Sequence, residues 1–533
     1  MLLEKIWKNI KMKTIVLPLK SKISIILLLF LTICGFLLRI YHLGSPSFWI
    51  DEAISANAAA ALIKHGTPTF PSGFIYMRAI LNTFFISLSF LVFGISEFSA
   101  RFPSVIFGTL TIPLVYIMGV KFGNRKIGLI AAFLITFSVM EIAWSRQARM
   151  YQQLQLFYLS SLYFFFEFNF CDQERKNTSK RILNFALSVL FLISAVLSHE
   201  FGYVLILIFV PFYLIANFKK IKYKWKDFTY MKYYIGSFIF IVVLIFLFLK
   251  FMGSDFFSVI SFISKDSWLP RVTYFEVYFN ILETELSFFI YLAIFGAVLA
   301  LRKSWMSGLL LIIGFVIPFY ILSYYVLLPG TRYLYFIFPI LLIFCSYFFD
   351  FLFEFTQRHS ENKPAKTGLT FIAIVITSML IIMAFSQHVF MILPDENFDL
   401  GVNAPQADFK GAYSYVRENM QNNDVLIDSR PAVSLFYMGR SDYWLAFEAN
   451  GVGLGIDNLL VNNGSNEVYA NAVVIKNVDM LKEVVAKNDR GWIVLDNSAW
   501  ILISSDIKAY IIEELHDEAS DGTIRIYSWG IKK

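Results

Sequence analysis

Long apolar stretches follow one another along most of the chain, with short polar segments between them. A helix needs about 20 mostly apolar residues to cross a bilayer. The stretches that approach this length are residues 23–43, 102–120, 127–144, 154–170, 182–198, 201–218, 233–252, 286–301, 307–327, 333–353 and 369–391. They predict a polytopic α-helical membrane protein with about eleven transmembrane helices.

One further apolar stretch, residues 74–94, is interrupted by Arg78 and Asn82. Cytoplasmic loops of membrane proteins carry an excess of Lys and Arg. If residues 74–94 do not span, the cationic loops fall on the side of the N-terminus. These loops are residues 121–126, 175–181, 219–232, 302–303 and 358–366. The sequence therefore predicts a cytoplasmic N-terminus and an amphipathic helix within residues 74–94 that lies along the outer interface.

The character of the sequence changes at Pro394, after which polar and apolar residues are mixed. Residues 410–420 have the pattern of a helix, and residues 424–428 and 492–496 have the pattern of strands. Strands that alternate with helices indicate an α/β domain. We therefore predict two domains, a transmembrane domain over residues 1–393 and a small extracytoplasmic α/β domain over residues 394–533.

Composition supports a membrane location. The chain of 533 residues is 57% hydrophobic and only 16% charged, whereas soluble domains are about half apolar and carry about a quarter charged residues. The net charge of +7 lies mostly in the short cationic loops, so it indicates orientation rather than nucleic-acid binding. A multi-pass protein of the plasma membrane is expected.

Most of the unusual polar residues lie on the predicted outer side of the membrane. Ionisable groups at membrane depth are costly, so their convergence on one face indicates a site. The candidates are Asp51, Glu52, Glu97, Arg101, Arg146, Arg149, Tyr151, His199, Glu200 and Arg332.

This residue set suits group transfer from a phosphate-linked lipid. Asp51 is suited to act as general base for an acceptor hydroxyl, or alternatively to hold a divalent cation. Arginine binds phosphate bidentately, which makes the arginines of this set, Arg101, Arg146, Arg149 and Arg332, candidates for the donor phosphate. Simpler roles stay open at this point: interfacial solvation of the acids, and arginines that anchor the chain at the interface.

Residues 48–53, Phe-Trp-Ile-Asp-Glu-Ala, resemble the first-loop signature of the GT-C membrane glycosyltransferases. Residues 97–104 and 145–151 resemble further segments of one branch, the glycosyltransferase family 39-like enzymes that include protein O-mannosyltransferases and the lipid A aminoarabinose transferase. The resemblance covers roughly the first 200 residues. It implies a GT-C fold and an inverting transferase that moves a sugar from dolichyl or undecaprenyl phosphate to a protein, lipid or glycan acceptor. It also implies Asp51 as base, with Glu52 as the second catalytic candidate.

Two departures from that branch leave the acceptor and the metal dependence open. A His-Pro-Pro motif of many relatives is replaced by Phe-Pro-Ser-Gly at residues 70–73, and an aspartate of the protein mannosyltransferases is replaced by Tyr151. A transporter or flippase of a lipid-linked precursor is the main alternative function, and a scaffold is a third. A transporter would place ionisable groups near the bilayer midplane, whereas here the helix centres are expected to be nearly free of charge.

Overall fold

The computed structural model of the chain describes residues 19–170, 178–224, 273–325, 330–358, 407–447, 459–461, 464–520 and 522–531. The part before residue 359 is helical. Its helices are α1 (Leu19–Ile40), α2 (Ile50–His65), α3 (Ile80–Phe93), α4 (Glu97–Phe122), α5 (Arg125–Phe137), α6 (Val139–Trp144), α7 (Tyr151–Phe170), α8 (Thr178–Ser198), α9 (Val204–Lys224), α10 (Phe275–Leu286), α11 (Phe289–Lys303), α12 (Trp305–Tyr325), α13 (Thr331–Leu334) and α14 (Phe338–Arg358). Two 3₁₀ turns, Glu200–Tyr203 and Tyr335–Ile337, precede α9 and α14.

Within the described ranges, six helical segments are long and apolar enough to cross a membrane, and the bent pair α10–α11 makes a seventh if it counts as one span. The prediction of a multi-pass helical membrane protein is thus confirmed. The six segments are Lys22–Ile40, Glu97–Phe122, Thr178–Ser198, Glu200–Phe218, Trp305–Tyr325 and Thr331–Thr356. The predicted spans at 233–252 and 369–391 lie outside the described residues.

One predicted span differs in detail from the structure, and one helix agrees with the prediction that it does not span. The stretch 127–144 is divided between α5 and α6, because Ser138 has extended backbone and its hydroxyl accepts the N–H of Glu141 at the start of α6. Helix α3 has 14 residues and is therefore about 21 Å long, shorter than the roughly 30 Å of a hydrocarbon core. Its length agrees with the predicted helix that does not span.

The membrane bundle is built around α7, most of whose residues are buried. Helix α7 packs against α8 and α4, and α4 in turn packs against α5. A Cβ atom on Gly119 of α4 would lie 2.6 Å from the Cα of Gly128 in α5. Glycine at these positions lets the two backbones approach closely, as small residues commonly do between membrane helices.

The C-terminal region forms an α/β domain, as predicted. Its strands are β1 (Val425–Asp428), β2 (Tyr443–Leu445), β3 (Leu460–Val461), β4 (Asn466–Glu467), β5 (Val473–Ile475), β6 (Gly491–Asp496), β7 (His516–Ser520) and β8 (Ile524–Trp529). In the described residues they form one sheet of order β3-β4-β5-β2-β1-β6-β8-β7, in which β5, β2, β1 and β6 are parallel. The helices are α15 (Phe409–Asn419), α16 (Pro431–Met438), α17 (Val478–Lys487), α18 (Asn497–Leu502) and α19 (Ser505–Glu514).

The C-terminal domain packs on the long loop between α1 and α4. The rings of Phe48 and Phe436 are 4.8 Å apart, and the side-chain amide of Asn57 in α2 donates to the carbonyl of Ala432 at 2.7 Å. The Ser47 hydroxyl donates to Asp408 at 2.9 Å. Helix α2 is therefore enclosed between the membrane bundle and the C-terminal domain.

Asp428, at the end of β1, gives the C-terminal domain a pH-dependent stability. Its Oδ2 accepts from Ser441 at 2.6 Å, and its Oδ1 is buried without a hydrogen-bond partner among the described residues. Burial raises its pKa to about 8. Between about pH 4 and pH 8 the folded chain therefore keeps a proton that the unfolded chain releases, and the stability due to this group falls as pH rises.

We expect Asp428→Asn to remove this dependence. The unfolding temperature of the variant, measured relative to that of the wild type, should therefore increase from pH 5 to pH 8. Thermal unfolding of the purified full-length chain at both pH values is the measurement. The exposed Asp506→Asn serves as the control. A difference between Asp428→Asn and wild type that stays constant with pH would contradict the assignment.

Candidate active site

Helix α2 carries both predicted catalytic carboxylates in its first turn. The indole N–H of Trp49, the residue before the helix, donates to Gln147 at 2.9 Å, and this bond ties the start of α2 to the turn between α6 and α7. Negative side chains are favoured at this end by the helix dipole. The two carboxylates have different surroundings: the side chain of Glu52 is fully buried, whereas that of Asp51 is 29% exposed.

Glu52 forms a buried ion pair with Arg101 of α4. Nε of Arg101 donates to Oε1 at 2.8 Å and Nη2 to Oε2 at 2.7 Å, while the N–H of Ala148 donates to Oε1 at 2.7 Å. The other guanidinium N–H groups donate to the carbonyls of Leu43, Pro46 and Ser47. All five donors of Arg101 are thus engaged within the protein. This arrangement favours a positioning role for the pair over phosphate binding and base catalysis.

Arg146 is directed at the end of α1. Its Nη1 lies 3.2 Å from the carbonyls of Leu38 and Arg39 and 2.5 Å from that of Tyr41. The last carbonyls of a helix have no partner within the helix, and a cation there is favoured by the dipole. The structure therefore places Arg146 as a cap on α1, although the sequence suggested a phosphate ligand.

Asp51 lies between two arginines from separate parts of the bundle. Its Oδ2 is 3.2 Å from Nη2 of Arg149 and 3.4 Å from Nη1 of Arg332. Nη1 of Arg149 also donates at 2.9 Å to the backbone carbonyl of Asp51 and to the Ser55 hydroxyl. Nε of Arg149 is buried with no hydrogen-bond partner in the part of the chain that the structure describes. The predicted residues Asp51, Arg149 and Arg332 are therefore brought together.

The charges around Asp51 keep it ionised. Burial acts to raise its pKa, but the guanidinium groups of Arg149, Arg332 and Arg78 outweigh burial and hold the pKa below its usual range. An ionised carboxylate is the form that can accept a proton from an acceptor.

Arg78 extends the cluster on its solvent-exposed side, and it was not among the site residues predicted from the sequence. Its Nε lies 3.4 Å from Oε1 of Glu200, and Nδ1 of His199 lies 3.1 Å from Oε2 of the same carboxylate. Burial lowers the pKa of His199 to about 4, and the same Nδ1 accepts the N–H of Phe201 at 3.2 Å. At neutral pH the imidazole is therefore uncharged, and its contact with Glu200 is not an ion pair. Arg78 appeared in the sequence only as a charge that interrupts an apolar stretch.

Aromatic rings enclose the arginines. The guanidinium carbon of Arg149 lies 5.8 Å from the ring centre of Tyr151, and that of Arg332 lies 5.1 Å from Tyr333 and 6.0 Å from Trp49. Cations are attracted to ring faces at such distances. Tyr151 thus belongs to the site.

Glu97 faces away from this cluster. It accepts from the Tyr437 hydroxyl at 3.1 Å and lies 3.2 Å from Nζ of Lys410. Both partners belong to the C-terminal domain, so Glu97 contributes to the contact between the domains.

The surroundings of Asp51 do not fit a divalent cation. Its nearest ionic partners are two guanidinium groups, which would repel a metal ion. In the described ranges, no group of three or more His, Cys, Asp or Glu side chains is placed to hold one. The alternative role of Asp51 as a metal ligand is therefore not supported by the donor set.

A buried polar network that was not predicted from the sequence joins α6, α7 and the turn after α13. Glu141 of α6 accepts from Gln155 at 2.9 Å and from the Tyr335 hydroxyl at 3.0 Å. Gln152 bonds to Tyr335 and, at 2.9 Å, to Gln155. Arg39 of α1 is also fully buried here. Arg39 and Glu141 lie near the ends of the predicted spans 23–43 and 127–144, so the expectation of nearly charge-free helix centres stays a prediction. The sequence feature that could have indicated this network is the run of glutamines at 152, 153 and 155, at the start of the predicted span 154–170.

Comparisons with known proteins agree with the predicted resemblance. The family described as dolichyl-phosphate-mannose-protein mannosyltransferase matches residues 77–249. An uncharacterized protein of Aquifex aeolicus is 26% identical over 207 residues, which cover 38% of this chain and 39% of that protein.

Solved structures share the fold over almost the whole chain. The apo structure of ArnT from Cupriavidus metallidurans has a TM-score of 0.62 at 11% identity and covers 96% of this chain and 98% of its own. ArnT bound to undecaprenyl phosphate gives 0.59 at 11% identity, with 95% and 97% covered. The oligosaccharyltransferase AglB from Archaeoglobus fulgidus, in complex with an inhibitory peptide and a dolichol-phosphate, gives 0.57 at 14% identity, with 90% and 70% covered. The predicted resemblance to the GT-C glycosyltransferases and the predicted fold are confirmed.

Proposed function

We propose that the chain is a membrane glycosyltransferase that moves a sugar from a polyprenyl-phosphate donor to an acceptor hydroxyl, with inversion and with Asp51 as the base. The observation that carries the proposal is the ionised Asp51 held between Arg149 and Arg332 at the boundary of the two domains. The matched family and the structural neighbours are glycosyltransferases, and two of those neighbours hold a polyprenyl phosphate. They give no support to the transporter alternative.

The donor phosphate is assigned to Arg149 and Arg332, with Arg78 on the outer side. Arg149 has a buried Nε without a partner in the described residues, and its Nη groups reach the carboxylate and backbone of Asp51. Planar guanidinium groups suit bidentate binding of phosphate. Arg101 and Arg146, which the sequence also suggested, have their donors directed at Glu52 and at backbone carbonyls.

The charges of the site match this chemistry before and after transfer. Among the described residues the cluster holds three arginines, Arg78, Arg149 and Arg332, and two carboxylates, Asp51 and Glu200, which leaves one net positive charge. A sugar-phosphate-polyprenol donor carries one negative charge and balances it. After transfer Asp51 is protonated and the polyprenyl monophosphate carries up to two negative charges, so two net positive charges face two negative ones. An uncharged acceptor fits both states.

In the transfer step, the bond between the anomeric carbon and the phosphate oxygen breaks, and its electron pair goes to the phosphate. The acceptor oxygen attacks that carbon from the opposite face, and its proton goes to the carboxylate of Asp51. The arginines lower the pKa of Asp51 in the free site. Because a bound phosphate offsets their charge, we infer that donor binding raises this pKa and makes Asp51 a stronger base.

We place the reaction on the outer face of the plasma membrane, with the N-terminus in the cytoplasm. The support is the distribution of cationic loops together with the contact between the C-terminal domain and the loop that carries Asp51. We further propose that the acceptor, a hydroxyl of a protein, lipid or glycan, approaches from the C-terminal domain. Tyr469 of that domain lies there, with its ring 5.1 Å from Phe70 and 6.1 Å from Phe74 of the same loop.

Binding of undecaprenyl phosphate to the purified chain tests the phosphate assignment. We expect Arg149→Lys and Arg332→Lys each to raise the Kd about tenfold or more, because a point charge loses the bidentate geometry. Arg146→Lys should leave the Kd near that of the wild type, since its partners are carbonyls of α1. The Kd for undecaprenol, which lacks the phosphate, measures the contribution of the polyprenyl tail to binding. Equal effects of all three substitutions would contradict the division of the arginines.

A further inference from the structure

Glu141 connects three segments that carry or flank the proposed phosphate ligands. It lies in α6, just before the turn that carries Arg149, and its Oε1 accepts from Gln155 in the second turn of α7 at 2.9 Å. Its Oε2 accepts from the Tyr335 hydroxyl at 3.0 Å, and Tyr335 follows Arg332 by one helical turn. Arg149 and Arg332 are therefore both attached to segments that meet at this carboxylate.

The polar side chains around Glu141 form hydrogen bonds with one another. Nε2 of Gln155 donates to Glu141 and also, at 3.0 Å, to the backbone carbonyl of Tyr335. The single hydrogen of the Tyr335 hydroxyl is shared between Glu141 and Oε1 of Gln152. Nε2 of Gln152 donates to Gln155 at 2.9 Å and to Thr111 at 3.2 Å. The side chain and the backbone of Tyr335 are thus both fixed, so the turn after α13 has a defined position relative to α6 and α7.

Burial of these polar side chains inside a membrane bundle costs free energy. Glu141, Gln152, Gln155 and Tyr335 have no exposed surface, and buried ionic groups are often less stabilising than apolar residues of similar volume. The benefit of a satisfied polar network is a single defined arrangement of the elements it joins. The elements joined here are those next to Arg149 and Arg332, both of which contact Asp51.

We propose that Glu141, together with Tyr335 and Gln155, is a positioning residue that sets the spacing of Arg149 and Arg332 and thereby the affinity of the site for a phosphate group. The proposal rests on the proposed function, because the ligand it refers to is the phosphate of the polyprenyl donor. None of the three side chains is assigned contact with the substrate.

Tyr335→Phe removes the hydroxyl that Glu141 and Gln152 share, and Tyr158→Phe is its matched control. Tyr158 is also fully buried in the bundle, but its hydroxyl donates to the carbonyl of Gly314 at 2.6 Å. We expect Tyr335→Phe to raise the Kd for undecaprenyl phosphate about tenfold or more, because the spacing of Arg149 and Arg332 is then no longer fixed. Its Kd for undecaprenol, and both Kd values of Tyr158→Phe, should stay near the wild type.

Glu141→Gln, which keeps the size of the side chain and replaces one carboxyl oxygen by an amide NH₂ group, should act in the same direction as Tyr335→Phe. An unchanged Kd in Tyr335→Phe, or an equal loss in Tyr158→Phe, would overturn the proposal. A loss of undecaprenol binding in Tyr335→Phe would do the same, because it would indicate general damage to the bundle.

A second readout does not depend on the proposed function. Phenylglyoxal modifies accessible arginines, and the side chain of Arg332 is 16% exposed. Mass spectrometry should find faster modification of Arg332 in Tyr335→Phe than in wild type or Tyr158→Phe. If wild type binds undecaprenyl phosphate no better than undecaprenol, the proposed function fails and the rate of Arg332 modification alone decides the positioning role. An unchanged rate would then overturn it.

Discussion

In an Asp51→Asn variant we expect the rate of sugar transfer to fall by about 10² to 10⁴, the range that general-base assistance supplies. The amide keeps the size of the side chain and can still contact Arg149 and Arg332, but it cannot take the acceptor proton. The variant should therefore fold, insert into the membrane and bind undecaprenyl phosphate at least as tightly as wild type, because the arginines lose a competing negative charge.

The measurement combines transfer from polyprenyl-phosphate sugars in membranes with binding of undecaprenyl phosphate to the purified chain. Asp479→Asn, an exposed substitution in the C-terminal domain, controls for the loss of a carboxylate elsewhere. Full transfer activity in Asp51→Asn would show that the base lies elsewhere, and Glu200, the other carboxylate of the arginine cluster, would be tested next. Loss of transfer together with loss of binding would indicate instead that Asp51 organises the arginines.

The second large effect is expected on stability, at Glu52. Truncation to Ala leaves Arg101 charged and buried without its carboxylate, and breaking a buried ion pair in this way typically costs about 3 to 5 kcal/mol. We expect Glu52→Ala and Arg101→Ala each to lower the unfolding midpoint of the purified chain strongly, since each leaves one partner uncompensated. Glu52→Gln should be milder because its amide oxygen can still accept from Arg101.

The double variant Glu52→Ala/Arg101→Ala distinguishes a coupled pair from two independent residues. Coupled partners give a loss clearly smaller than the sum of the single losses. An additive loss would mean that the pair at 2.7 Å contributes nothing through its mutual contact. If Glu52→Ala kept normal stability and lost only transfer activity, a direct catalytic role for Glu52 would be favoured over the positioning role.

Several features of the fold could be read from the sequence because they depend on local physics. Apolar stretches of sufficient length predict spans, and the helix at Phe409–Asn419 and the strands at Val425–Asp428 and Gly491–Asp496 follow from short-range patterns. The grouping of Asp51, Arg149 and Arg332 could be expected because all three lie on the same predicted face of the membrane.

The functions of individual arginines could not be read in the same way. Arg101 and Arg146 are as polar and as near the interface as Arg149, and only the fold shows that their donors are used by Glu52 and by the end of α1. Arg78 was missed because its partner Glu200 lies far along the chain. The network at Glu141 joins side chains up to 194 positions apart, and no periodicity within a single helix reports such contacts.

The enclosure of α2 by the C-terminal domain has a consequence for the order of biosynthesis. The Tyr437 hydroxyl accepts from the N–H of Phe48 across 389 positions of the chain. Chains are synthesised from the N-terminus, and domains generally fold as units in that order. The helix that carries Asp51 is thus synthesised early, while the surface that covers it is synthesised almost 390 positions later. Membrane insertion of the bundle therefore precedes maturation of the site, and a nascent chain halted before the C-terminal domain presents an uncovered α2 to chaperones and proteases.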